Sequence, residues 1–158
     1  MVKIVDCDLF KSGADVICHQ VNCKGMMEHG VAKQVRARWP QVFDAYKAEC
    51  KAALNNKDLL LGHVCDVAVS DGGKSFIICN LFGQDNYHTG KLFCFTDYIA
   101  LRKCLAKVKA THSGKSIALP YRMSCSLAGG DWRVVEEIIL DELKGCDVTI
   151  CRYKGNED

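Results

Sequence analysis

Two stretches of the chain combine small residues in a way that suits anion chemistry. From Ile117 to Ile139 a short apolar run meets Pro120, passes through the small residues Ser124 to Gly130, and enters a helix whose first turn holds Asp131, Trp132 and Glu136. A loop of this kind directs backbone N–H groups and the positive end of a helix dipole at one spot, which favours a phosphate or diphosphate. The plainer reading is a tight turn between strand and helix, in which Gly129 and Gly130 serve only the backbone. A second candidate follows Val21, where Asn22 to Gly30 carries glycine at 25 and 30 and leads into a helix beginning near Val31. Glycine there permits positive φ and close approach of a ligand to the main chain.

The elements that must position these loops alternate in type. Val2 to Val5 reads as an edge or first strand, and Ala14 to Val21 as a continuous apolar strand buried on both faces, hence central. A helix runs to Trp39-Pro40, where proline disfavours helical geometry in the preceding residue. The next carries Phe43, Tyr46, Cys50, Ala53 and Leu54 on one face and ends at Asn55-Asn56. Leu59 to Val69 and Ser75 to Phe82 read as two strands around Asp71-Gly72-Gly73, a hairpin. Thr96-Asp97 offers an N-cap for a helix with Tyr98, Leu101, Leu105 and Val108 inward. Ile117 to Leu119 is a strand, Val135, Ile138, Ile139 and Leu143 mark a last helix, and Asp147 to Tyr153 a last strand. The expectation is an α/β fold with a mixed, largely parallel sheet covered on both faces, formed by residues 1–153 with a polar tail at 154–158. In such sheets ligands bind beyond the carboxyl ends of the strands, which is where both loops lie.

Composition narrows the classes further. The 158 residues suit one domain. Lys and Arg total 21 against 19 acids, a net of +2, too small to argue for a general nucleic-acid or membrane surface. No run approaches a membrane span and Met1 to Phe10 lacks a signal peptide's apolar segment, so a cytoplasmic protein is expected. The 11 cysteines are odd in number and mostly sit in apolar runs (Cys18, Cys65, Cys79, Cys94, Cys104 and Cys151), as reduced core thiols do. No Cys-x-x-Cys pair occurs, so no metal is expected. A dinucleotide-dependent oxidoreductase is disfavoured because no Gly-x-Gly-x-x-Gly joins a strand to a helix, and no cofactor is expected.

Taken together, Asp6-Cys7-Asp8-Leu9-Phe10, His19-Gln20-Val21-Asn22-Cys23, Gly25 to Ala32, Asn80-Leu81-Phe82-Gly83-Gln84, and Leu119-Pro120 through Cys125-Ser126-Leu127-Ala128-Gly129-Gly130-Asp131-Trp132 resemble the macrodomain family. The pattern is similar to the branch with terminal ADP-ribose glutamate hydrolases and Appr-1″-p processing proteins. The resemblance implies a three-layer α/β/α sandwich and ADP-ribose as ligand, alone or on an ADP-ribosylated macromolecule. It implies a diphosphate between the loop at Gly25 to Gly30 and the loop at Ser124 to Gly130, an adenine amine meeting Asp8, the distal ribose facing Asn22, catalysis by Asp131 with Asn22, and further ligand contacts at Leu9, Val31, Pro120 and Gln84. An aspartate can accept from an exocyclic amine, and asparagine offers both donor and acceptor to hydroxyls. The alternatives are that Asp8 caps the following turn and Asn22 forms an Asx-turn.

Two departures bear on activity. Ser124 and Ser126 stand where the family commonly has glycine, although serine takes positive φ only at a cost. Gln84 stands where the glutamate-hydrolase members place a lysine that forms an adduct with opened ribose, and an amide cannot form a Schiff base. Lys24 or Lys91 would have to substitute. His29 and His88 are alternative bases, His19 reads as a core histidine, and Cys125 lacks a readable activating base. The implied function is hydrolysis of a group from the distal ribose (an ADP-ribosylated acidic residue, a 1″-phosphate or an O-acetyl ester), with a non-catalytic ADP-ribose reader as the alternative.

Overall fold

The computed structural model describes residues 1–87, 94–125 and 128–153. Ser126, Leu127, His88 and Lys91, named above, lie outside the described residues, as does the tail.

Six strands form one sheet in the order β1-β6-β5-β2-β4-β3: β1 is Val2–Asp6, β2 Val16–Val21, β3 Val64–Asp71, β4 Lys74–Phe82, β5 Ile117–Pro120 and β6 Val148–Arg152. All neighbouring pairs are parallel except β3 and β4, which form the expected antiparallel hairpin. β2 lies between β5 and β4, and its apolar run follows from having helices on both faces.

Alternate residues of the central strands divide two cores. Val16, Cys18, Cys79 and Leu81 pack with Leu101, Leu105 and Val108 of α4 (Tyr98–Thr111) and with Val135, Ile138 and Ile139 of α5 (Trp132–Glu142). Ile17 and Ile78 face the other way, onto Val35 of α1 (Gly30–Arg38) and Val42 of α2 (Pro40–Ala52), while Val21 and Phe82 meet Phe43 and Tyr46 of α2. The sheet is thus the middle of three layers.

Local chemistry sets the boundaries. Pro40 opens α2 at a position where its missing N–H costs nothing, and the Asp97 carboxylate accepts from Ala100 N to cap α4. One expectation fails: Lys57–Leu60 forms a short helix, α3, rather than the start of a strand, because Asn56 caps it by accepting from Asp58 N. Cys94 is exposed, whereas Cys18, Cys65, Cys79, Cys104 and Cys151 are buried, and all 11 cysteines are free thiols. Among the described residues no helix is long and apolar enough to cross a membrane.

Candidate functional site at the carboxyl rim of the sheet

Because β1, β2, β4, β5 and β6 run in one direction, the segments after β1, β2, β4 and β5 emerge at one rim. The loop after β2 is fixed from beneath. Asn22 is 7% exposed, and its Oδ1 accepts from Lys24 N at 2.9 Å and from the Tyr46 hydroxyl at 2.7 Å, while its Nδ2 donates to Met26 O at 2.8 Å. The same hydroxyl accepts from Gly25 N and Met26 N, each at 3.1 Å. Burial pushes the Tyr46 phenol far above its usual range, so it stays neutral and keeps the proton it donates. The Asx-turn expected as an alternative for Asn22 is present, and these bonds leave one amide proton of Asn22 for another partner.

Gly25 (φ 77°) and Gly30 (φ 55°) both adopt left-handed backbone, as the sequence predicted. α1 then begins behind His29 without a side-chain cap and without an acidic residue in its first turn. Its leading N–H groups have no intrahelical acceptor, so this end is open to an anion. Val31 is half-buried against the core beneath.

The loop after β5 is organised differently. Ser124 takes φ 72°, the left-handed conformation that glycine accepts freely, and Arg122 takes φ 60°. The Ser124 carbonyl receives Gly130 N at 2.8 Å and the Thr96 hydroxyl at 2.9 Å, and Cys125 N donates to Arg122 O at 3.1 Å. The amides of residues 125 and 130 are therefore spent inside the loop. A Cβ on Gly130 would lie 2.5 Å from the Ser124 carbonyl oxygen, which is why only glycine closes the turn. Gly129 (φ 73°) is also left-handed. Ala128 is buried, its carbonyl accepting from Phe95 N at 2.8 Å, and Pro120 is half-buried at the end of β5. The Cys125 thiol donates to Met123 O and is pushed up to about 11 by burial, a poor nucleophile at neutral pH.

Asp131 caps α5 rather than sitting inside its first turn. Its Oδ1 accepts from Arg133 N at 3.0 Å, and its Oδ2 lies 3.2 Å from the Arg133 guanidinium. Arg133 thus holds this exposed carboxyl below the usual carboxylate range and keeps it ionised. Its presence also means that the anion nearest the α5 N-terminus is the chain's own. Trp132 packs edge-on against Tyr121, with ring centroids 5.1 Å apart. Asp8 likewise caps a single turn, accepting from Phe10 N at 2.9 Å, with Leu9 buried behind it.

A polar network that sequence reasoning missed ties the loops together. Gln20, at the end of β2, donates from Nε2 to Gln84 Oε1 at 2.9 Å and to the Thr96 hydroxyl at 3.0 Å, and accepts from the Ser124 hydroxyl at 2.5 Å. The Gln84 amide in turn donates to Asn86 O at 2.7 Å. Gln20 crosses directly over Gly83, where a Cβ would lie 2.5 Å from its Oε1. A polar residue inside an otherwise apolar strand was the available signal. The network joins the β2, β4 and β5 loops, whereas among the described residues no hydrogen bond links Asn22 to Asp131. Lys24 pairs with Asp85 at 3.0 Å and donates to Asn55 O at 3.2 Å. His29 is exposed at the start of α1, and His19 is a core residue whose Nε2 meets Asn80 Oδ1 at 2.5 Å.

No protein-family model matches the chain. Two curated relatives, the DNA ADP-ribosyl glycohydrolases of Mycobacterium bovis and Mycobacterium tuberculosis, are each 27% identical over 134 residues, covering 82% of this chain and 35% of theirs. The chain therefore spans about a third of the length of the curated relatives it matches. A protein of unknown function from Bacteroides thetaiotaomicron superposes with a TM-score of 0.81 at 29% identity, over 96% of this chain and 98% of that one. The macrodomain of Mycobacterium tuberculosis DarG superposes with a TM-score of 0.78 at 22% identity, over 99% of each chain. A macrodomain protein from Streptomyces coelicolor gives 0.75 at 29% identity, over 99% of this chain and all of the other. With its three layers and its superposition on these proteins over 96% or more of its length, the chain has the macrodomain fold and resembles that family along its whole length.

Proposed function

We propose that the chain binds ADP-ribose along this rim and hydrolyses a group from its distal ribose. The observation that carries the reading is the open start of α1, where left-handed Gly25 and Gly30 precede amides that no side chain caps. A diphosphate there would replace water on several aligned donors at once. Asp8 would meet the adenine amine beside Leu9, and the free amide proton of Asn22 the ribose. Asp131, ionised through Arg133, would orient and deprotonate a water attacking the anomeric carbon as the bond to the leaving group breaks. Gln84 supplies no amine and Lys24 is paired with Asp85, which favours a noncovalent route, with Lys91 the remaining amine for an adduct.

The leaving group at the anomeric carbon is an acidic side chain or a 1″-phosphate; on an O-acetyl ester the same water would attack the acetyl carbonyl carbon instead, releasing acetate and leaving the ribose hydroxyl. The curated relatives, named DNA ADP-ribosyl glycohydrolases, add ADP-ribosylated DNA to these substrates. Eleven free thiols suit a reducing compartment such as the cytoplasm. The grip of Arg133 on both Asp131 oxygens favours a second reading, an ADP-ribose reader without turnover.

Calorimetry with ADP-ribose, followed by turnover assays on the four substrate types, tests both. His29→Asp places a good cap and a fixed negative charge at the start of α1, so it should leave folding intact while weakening ADP-ribose by about 10-fold or more. Unchanged affinity in that variant would remove α1 from the binding site. Tight binding without turnover would leave the reader.

A further inference from the structure

Away from the rim, the hairpin and the far end of α4 assemble a different chemistry. Asp66 on β3 and Cys79 on β4 are direct partners across the antiparallel ladder, and His112 closes the C-terminus of α4 above them. His112 Nε2 lies 2.9 Å from Asp66 Oδ2 and 3.7 Å from Cys79 Sγ, and all three donor atoms fall within 4.8 Å of one another. A carboxylate oxygen, an imidazole nitrogen and a thiol converge on one point from three elements.

From this convergence we propose a binding site for a zinc-class divalent cation, coordinated by Asp66, Cys79 and His112. Nitrogen, sulfur and oxygen in one set match the ligand preferences of zinc. Tetrahedral zinc, ~2.0–2.3 Å from each ligand, separates its donors by about 3.3–3.8 Å. The His112–Cys79 spacing already fits; binding releases to solvent the proton between His112 and Asp66 and the Cys79 thiol proton, and the His112–Asp66 contact opens by a few tenths of an ångström. A surface ion pair alone would use only His112 and Asp66. The fully buried Cys79 sulfur behind them gives the third donor, and Cys18, its register partner on β2, places another thiol beside it. Asp66, with its side chain 33% exposed, provides the entry path and room for a water as fourth ligand.

The ligands come from separate elements, 13 and 33 residues apart in sequence, so no short cysteine motif announces them. The site is independent of the proposed ADP-ribose rim, and failure of either leaves the other standing.

The test uses the whole chain, reduced, stripped with chelator and titrated with zinc chloride by calorimetry and with cobalt chloride by absorbance. The expected result is one zinc per chain, a rise in melting temperature with zinc, and a thiolate-to-cobalt charge-transfer band. Cys79→Ser should abolish the band, and the exposed Asp66→Asn, which leaves the core untouched, should weaken zinc by at least about 10-fold. Cys94→Ser, which alters an exposed thiol elsewhere, should change neither. Absence of stoichiometric zinc, a band that survives Cys79→Ser, or equal zinc affinity in Asp66→Asn would each overturn the proposal.

Discussion

The Ser124 hydroxyl donates to Gln20 Oε1 at 2.5 Å while the Ser124 backbone is held at φ 72°. One side chain therefore both strains the β5 loop and fastens it to the central strand. Left-handed backbone costs a non-glycine residue roughly 1 kcal/mol, close to the ~1 kcal/mol that one hydrogen bond returns. Ser124→Gly, which removes both, should change unfolding free energy by less than about 1 kcal/mol. Ser124→Ala keeps the strain and orphans the Gln20 oxygen, so it should be the less stable of the two by about 1 kcal/mol in urea titrations. The reverse order would show that the hydroxyl does not fasten the loop.

Two glycines on the rim should respond unequally to alanine. At Gly130 the new Cβ meets the Ser124 backbone carbonyl at 2.5 Å, and the loop itself must move. At Gly83 the nearest atom, also 2.5 Å away, is the mobile end of Gln20. Gly130→Ala should cost about 1–3 kcal/mol, and Gly83→Ala less, because the Gln20 amide can swing aside. Thermal unfolding of both variants checks the order.

The Asp131 carboxyl lies below the usual carboxylate range because Arg133 donates to it. If Asp131 is the base, turnover should show no acid limb from this group above about pH 4, since a depressed carboxylate loses its charge only as pH falls through the lowered value. Arg133→Ala should move that limb upward, and Asp131→Asn should lower turnover ~100-fold or more while leaving the neutral-pH fold in place. A pH–rate profile of the three proteins decides it.

His19 is 1% exposed, and its pKa drops from 6.5 to about 4 because burial disfavours the cation. Between those values the unfolded chain binds a proton that the folded chain does not, so stability falls as pH drops from 6.5 to about 4. The shift corresponds to a loss on the order of 3 kcal/mol once pH reaches the lower value. His19→Gln, which can still donate to Asn80, should flatten this part of the stability curve in urea unfolding measured between pH 7 and pH 4.

What the sequence revealed was local. The continuous apolar run of β2, Pro40 at the start of α2 and the cap at Asp97 each depend on a few neighbouring residues, and each was readable, whereas Asp131 was read one position too far into its helix. The conformational demand at position 124 came through the family resemblance, which places glycine where this chain has serine. Residues 57–60 misled because their apolar character suits strand and helix alike, and only the Asn56 cap decides. Gln20, Thr96 and Tyr46 were invisible as site residues, since their partners lie 20 to 104 positions away and meet only once β2, β4, β5 and α2 are packed. Asp66, Cys79 and His112 escaped for the same reason.

Tyr46 reaches up from α2 to hold Asn22, Gly25 and Met26 through a single hydroxyl, itself buried and neutral. The first cradle is thereby set before any guest arrives. A ligand landing there need not freeze a wandering segment, and the entropy it would otherwise surrender is retained as affinity.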